Sequence, residues 1–144
     1  MSVMQISVFL ENKPGTLKKM TGVLAENNIN MRATSLAETK DFGIARLVVD
    51  DALSAVNTLK DNNFVASLTP VLAIEIPDEA GGLDKILESF DNAQVNIEYM
   101  YAFTGGKCSD HAYMIFRVSD TKTAESKLIG TGVKILTQED IESI

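Results

Sequence analysis

The chain has 144 residues, 45% of them hydrophobic and 23% charged, a globular composition with length for one ordinary domain or two small ones. Residues 1–70 hold seven Lys/Arg and seven Asp/Glu, and residues 71–144 hold six and thirteen, so the whole net charge of −7 falls in the second half. Neither half offers the basic stripe that a phosphate backbone requires, which argues against nucleic acid and against anionic membranes as partners.

No apolar run approaches the length that spans a bilayer. Residues 1–5 lack the basic start and long apolar core of a signal peptide. Cys108 is the sole cysteine, so an intrachain disulfide is impossible. Together these features lead us to expect a reduced, cytoplasmic setting.

In chain order, residues 3–10 read as a strand that runs into the turn Asn12-Lys13-Pro14-Gly15-Thr16-Leu17. Proline suits the first helical position, which would leave Lys13, without an acceptor oxygen, as the cap. The first N–H groups of the helix, on Gly15, Thr16 and Leu17, are then free for water or for a carboxylate, which the helix dipole favours. The helix should bury Leu17, Met20, Val23 and Leu24 and end at Asn27-Asn28. Residues 29–37 alternate as a second strand, with Asn30 beside Met31. A turn at residues 40–43 leads to a third strand at 44–49. Asp50-Asp51 begins a helix with Leu53, Val56 and Leu59 inward, Asn62-Asn63 closes it, and residues 64–69 make a fourth strand.

The pattern then restarts. Residues 71–76 are a strand, Pro77-Asp78-Glu79-Ala80-Gly81-Gly82-Leu83 a turn, and Leu83, Ile86, Leu87 and Phe90 the inward face of a helix. Strands at 95–103 and 112–118 flank a hairpin loop at 104–109, followed by a helix at 120–129 and a strand at 133–136. A shift of 66 positions lays Gly15 on Gly81, Leu17 on Leu83 and Asn30 on Asn96. After a three-residue insertion, Asp51 falls on Asp120 and Leu59 on Leu128. Duplication of this length predicts two βαββαβ domains, residues 1–70 and 71–144, with Pro70 at the join. The expected fold class is α+β: tandem ferredoxin-like units with antiparallel sheets, paired side by side.

Two such units, each with a strand–turn–Gly–x–Leu–helix–Val/Ile–Asn–Ile/Met arrangement, resemble ACT domains over all but residues 1–4 and the tail from Thr137. The resemblance implies a regulatory module, without catalytic residues or cofactor, that binds an amino acid between paired copies and forms homodimers. It implies ligand-binding roles for Asn12, Lys13, Pro14, Gly15, Thr16, Leu17, Asn30 and Met31. The same roles in the second copy fall to Asp78, Ala80, Gly81, Gly82, Leu83, Asn96 and Ile97. That copy departs from the pattern, because Ala80 replaces Pro14 and Asp78 replaces Asn12. Asp78 could meet a ligand ammonium or cap its own helix. If the copies pair about a pseudo-twofold axis, Asn12 would work with Asn96 and Asp78 with Asn30.

Other readings fit less well. Cys108 and His111 are two potential ligands where a structural zinc wants four, so no metal is expected. A hydrolase on this fold would need cations for an anionic transition state, and the first turn carries Lys13 alone. An RNA-binding module would need a basic sheet face. A protein-interaction module without a small ligand is the alternative the residues leave open, and any protein target is unspecified.

Overall fold

In a computed structural model, which describes residues 3–103 and 110–144, the order is β1 (Val3–Glu11), α1 (Thr16–Glu26), β2 (Met31–Glu38), β3 (Phe42–Val49), α2 (Ala52–Asp61), β4 (Val65–Pro77), α3 (Gly82–Asn92), β5 (Ile97–Ala102), β6 (His111–Val118), α4 (Thr121–Leu128), β7 (Lys134–Leu136) and α5 (Gln138–Ser143). Residues 4–69 form one compact unit, and residues 70–144 with Val3 form another. The hairpin loop expected at 104–109 lies outside the described residues, and Cys108 with it. The α+β class and the repeated βαββαβ frame are as expected.

In the first unit the strands run in the order β2-β3-β1, with β4 beside β1. β3 is antiparallel to both neighbours, pairing Glu11 with Phe42, Gly43 with both Leu10 and Glu38, and Val49 with Met31. Alternation sends Ile6, Val8, Leu10, Ala45 and Leu47 to the helix side, where they meet Met20, Val23 and Leu24 of α1 and Val56 and Leu59 of α2. Two expected inward residues point elsewhere: Leu53 is 64% exposed and Leu17 is 40% exposed. Ala52 and Ala55 supply the inward face of α2 in place of Leu53.

The asparagine pairs end their helices by a double device. Asn27 and Asn62 are C-caps whose side-chain amides donate to Val23 and Thr58 carbonyls at 2.8 Å. Asn28 and Asn63 follow in the left-handed region, φ 56° and 70°, which asparagine tolerates better than most residues. Ile29 and Asn30 therefore belong to the exit from α1, and β2 starts only at Met31.

The second unit repeats this plan, with β6 between β5 and β4, and β7 on the far side of β4. Its core gathers Leu72, Ile74, Ile86, Phe90, Phe116 and Leu128, with the Phe90 and Phe116 rings 5.0 Å apart. The strands expected at 64–69 and 71–76 are a single 13-residue β4 with Pro70 inside it. The proline has no N–H to give, but the ladder with β6 begins at Leu72, so none of its rungs is lost. The Pro70 carbonyl accepts from Arg117 Nη1 at 2.8 Å. The tail adds α5, started by a capping box in which Thr137 and Asp140 bond reciprocally, and anchored by the buried Ile141.

Candidate functional site

Glu11 ends β1, and the chain turns back at once: the Lys13 N–H donates to the Glu11 carbonyl at 2.9 Å and the Asn12 N–H to Asp41 O at 3.1 Å. The second turn repeats this backbone residue for residue, with Glu79 N–H to Pro77 O and Asp78 N–H to Asp110 O, both at 3.0 Å. Helix α1 starts at Thr16, not Pro14, and its cap is Gly15, not Lys13. Gly15 has φ 91° and ψ −15°, and Gly81 has φ 86° and ψ −3°, so each turn uses a left-handed residue that proline cannot supply. Proline, with φ held near −65°, instead sets the residue before the cap.

Among the described residues no side chain caps α1, and no acidic residue stands in its first turn. The Thr16 hydroxyl turns away from the helix N–H groups and donates to the carbonyls of Glu11 at 2.8 Å and Lys13 at 3.1 Å. The Lys13 ammonium lies 2.7 Å from Glu11, and through that hydrogen bond first and its charge second it holds the Glu11 carboxyl below the usual carboxylate range. The Asn12 amide points at Glu38 Oε2, 3.4 Å away at the end of β2.

Two openings flank this turn. One, of about 630 Å³, lies between β1, the turn and the α2–β4 connection, and its walls include Phe9, Lys13, Gly15, Lys19, Phe42 and Phe64. The other, of about 270 Å³, is bounded by Asn12, Leu17, Leu36 and Glu38. The volume of the first lies within the range of small-molecule sites. The Lys19 ammonium stands 6.0 Å from the centre of the Phe64 ring.

The second turn is built differently. Gly82 replaces Thr16 and packs its Cα against the Pro77 carbonyl with no room for a side chain. Its N–H donates to Glu79 O at 3.0 Å. Asp78 does not cap α3, so the capping expectation fails; the acidic residue of that first turn is Asp84. Asp120 and Asp51 are true caps, accepting from the Thr123 and Ser54 N–H groups at 3.1 Å each. Nearby, Glu75 is held by His111 Nε2 at 3.5 Å and Lys134 Nζ at 2.6 Å.

Register decides which expected residues can meet. Asn12 follows the end of β1 that faces Phe42, whereas Asn30 precedes the end of β2 that faces Val49. Gly43 to Val49 is about 20 Å of strand, so within the first unit the turn and Asn30 sit at opposite ends of the sheet. The second unit has the same layout: Pro77 faces His111, Ile97 faces Val118, and Asn96 lies beyond. Asn96 borders a separate opening of about 140 Å³ with Asp120 and Lys127. Met31 and Ile97 pack against the cores of their own units, and Ala33 is fully buried. Ala80, Asp78 and Pro14 are exposed, and Leu83 packs on the second core. Sequence reasoning does not single out Lys19, Phe9, Phe42, Asn63 or Phe64 as lining residues. A signal for Phe9 is nonetheless present: a large ring at the outward position between the inward Val8 and Leu10.

No helix among the described residues is long and apolar enough to cross a membrane, and no cluster of potential metal ligands occurs among them.

A search of functionally curated proteins found no match. A crystallised protein of Bacteroides thetaiotaomicron is 38% identical, with a TM-score of 0.91 over 100% of this chain and 98% of that one. The ligand-free regulatory subunit of aspartate kinase from Thermus thermophilus has a TM-score of 0.67 at 18% identity, over 89% of each chain. The corresponding subunit from Thermus flavus has 0.63 at 18% identity, over 91% of each. At that identity the likeness to the kinase subunits is one of fold. The family profile of the ACT domain pair matches residues 1–144, tail included, and the chain belongs to that family of regulatory domains.

Proposed function

We propose that the protein is a non-enzymatic sensor that binds an α-amino acid at the first turn, with residues of another ACT unit completing the site. The observation that carries this reading is the uncapped start of α1, free of acidic side chains and open to a cleft of about 630 Å³. Helix-start N–H groups and a nearby lysine suit the carboxylate. The Glu11 carboxylate on the cleft wall offers a partner for the ammonium group, and Asn12 borders the adjoining opening across the turn. The distance between Asn12 and Asn30 along one sheet supports completion by a second unit, with Asn96 and Asn30 as the contributed residues. The second turn, closed by Gly82, serves as a wall. The reading carries a cytoplasmic setting and pairing of chains into a dimer.

A thermal-shift screen against the common amino acids tests it. A ligand at a hundred times its Kd stabilises by about 2.7 kcal/mol when it ignores the unfolded chain. Asn12→Ala, at the rim of the turn, and Asn96→Ala should each weaken the shift. If Asn96→Ala leaves binding untouched, completion by a second unit fails. No shift with any amino acid would favour a pure protein-interaction module.

A further inference from the structure

The outward face of a strand needs no large apolar side chain, yet the first unit places three around one opening. Phe9 is 48% exposed, Phe42 55% and Val65 67%. By the internal repeat, the same places in the second unit are Glu75, His111 and Lys134, closed on one another by contacts of 3.5 and 2.6 Å. The frame therefore accepts a polar set there, and the first unit's apolar set answers some other demand. Exposed apolar side chains gathered on one opening, rather than scattered singly, are the kind of surface that a binding site uses.

The cations differ in the same way. Lys85 reaches Glu79 at 3.9 Å, whereas its counterpart Lys19 faces the Phe64 ring and has no ion pair among the described residues. Lys13 is engaged by Glu11. Among the described residues the cleft thus presents one uncompensated cation beside three aromatic rings, with the Glu11 carboxylate on its wall.

We infer that this cleft takes an α-amino acid with an aromatic side chain, its carboxylate at Lys19 and its ring among Phe9, Phe42 and Phe64. The inference deepens the proposed function and rests on it. A small polar amino acid would leave the rings wet, an acidic one would bring a second charge against them, and a basic one would set a cation against Lys19. An aromatic ring gains both edge or face contact with the phenylalanines and the area it buries.

The test is calorimetric titration of the full chain with L-phenylalanine, L-leucine, L-alanine and L-aspartate. L-phenylalanine should bind most tightly, and Lys19→Met should weaken it by about tenfold or more. The double variant Phe9→Glu, Val65→Lys, which copies the second unit, should abolish binding. Phe42→His, a single exposed change copying His111, should weaken binding and guards against a double variant that fails to fold. Tighter binding of L-leucine, L-alanine or L-aspartate would overturn the aromatic class while leaving the amino-acid reading intact. No binding of any of them would overturn the aromatic class, and the amino-acid reading falls with it only if the thermal-shift screen of the common amino acids is also blank. If the double variant binds L-phenylalanine normally but sediments differently from the parent, the cleft is a contact between copies of the chain and the inference falls.

Discussion

Gly82 lies so close to the Pro77 carbonyl oxygen that no Cβ fits between them, whereas Thr16, at the same place in the first unit, keeps its side chain and donates to Glu11 O at 2.8 Å. One turn is therefore closed by backbone and the other propped by a hydroxyl. Gly82→Ala forces a methyl against backbone that cannot rotate away, and should destabilise the chain by about 1–3 kcal/mol. Thr16→Ala loses exposed hydrogen bonds only, at about 1 kcal/mol. Urea denaturation of the two variants checks the order, and a Gly82→Ala variant as stable as the parent would mean that the two turns are equally open.

Gly15 tests conformation without crowding. A Cβ there would meet nothing within 4 Å, so the cost of Gly15→Ala comes from φ 91° alone. The left-handed region costs an L-residue about 1–2 kcal/mol, and Gly15→Asn should recover part of that. Gly81→Ala, at φ 86° with equally empty surroundings, should cost the same within error. The measurement is the denaturation midpoint of all three variants.

Acid should loosen α4 in a defined direction. The Thr123 hydroxyl first, and the Thr123 N–H second, hold the Asp120 carboxyl below its ordinary range. A lowered folded-state pKa gives stability that is complete above the unfolded value, about 3.9, and is lost as pH falls through the lower folded one. Asp120→Asn retains a capping oxygen but does not titrate there. The stability difference between parent and Asp120→Asn should be flat above about pH 5 and shift against the parent on acidification.

Periodicity is enough to reveal the repeat, because Met20 and Leu24 and their counterparts Ile86 and Phe90 obey helical spacing and β1 alternates cleanly. It errs where an end is set by backbone conformation: Pro14 reads as a helix start, but the chain needs the left-handed Gly15 first. It errs at Leu53 because small Ala52 and Ala55 fit the α2 interface more closely than a leucine pattern suggests. Pro70 does not interrupt the ladder with β6, because that ladder starts only at Leu72. The turn itself is legible, since Gly15 and Gly81 recur at a fixed spacing. The cleft wall is not, because Phe9, Phe42 and Phe64 come from separate segments that only the sheet brings together.

Two phenylalanines separate structural from functional use of a ring. Phe90 is 1% exposed and packs on Phe116, so Phe90→Ala leaves a cavity in the second core and should cost about 3–5 kcal/mol. Phe9 is 48% exposed, and Phe9→Ala should change stability by only about 0.5 kcal/mol, as surface positions do. Its effect should appear instead in ligand affinity. Equilibrium unfolding and ligand titration on the same two variants give a crossed result: stability falls in one and binding in the other. If Phe9→Ala unfolds as readily as Phe90→Ala, the exposed ring is part of the first unit's scaffold, and the cleft loses the wall on which its aromatic preference depends.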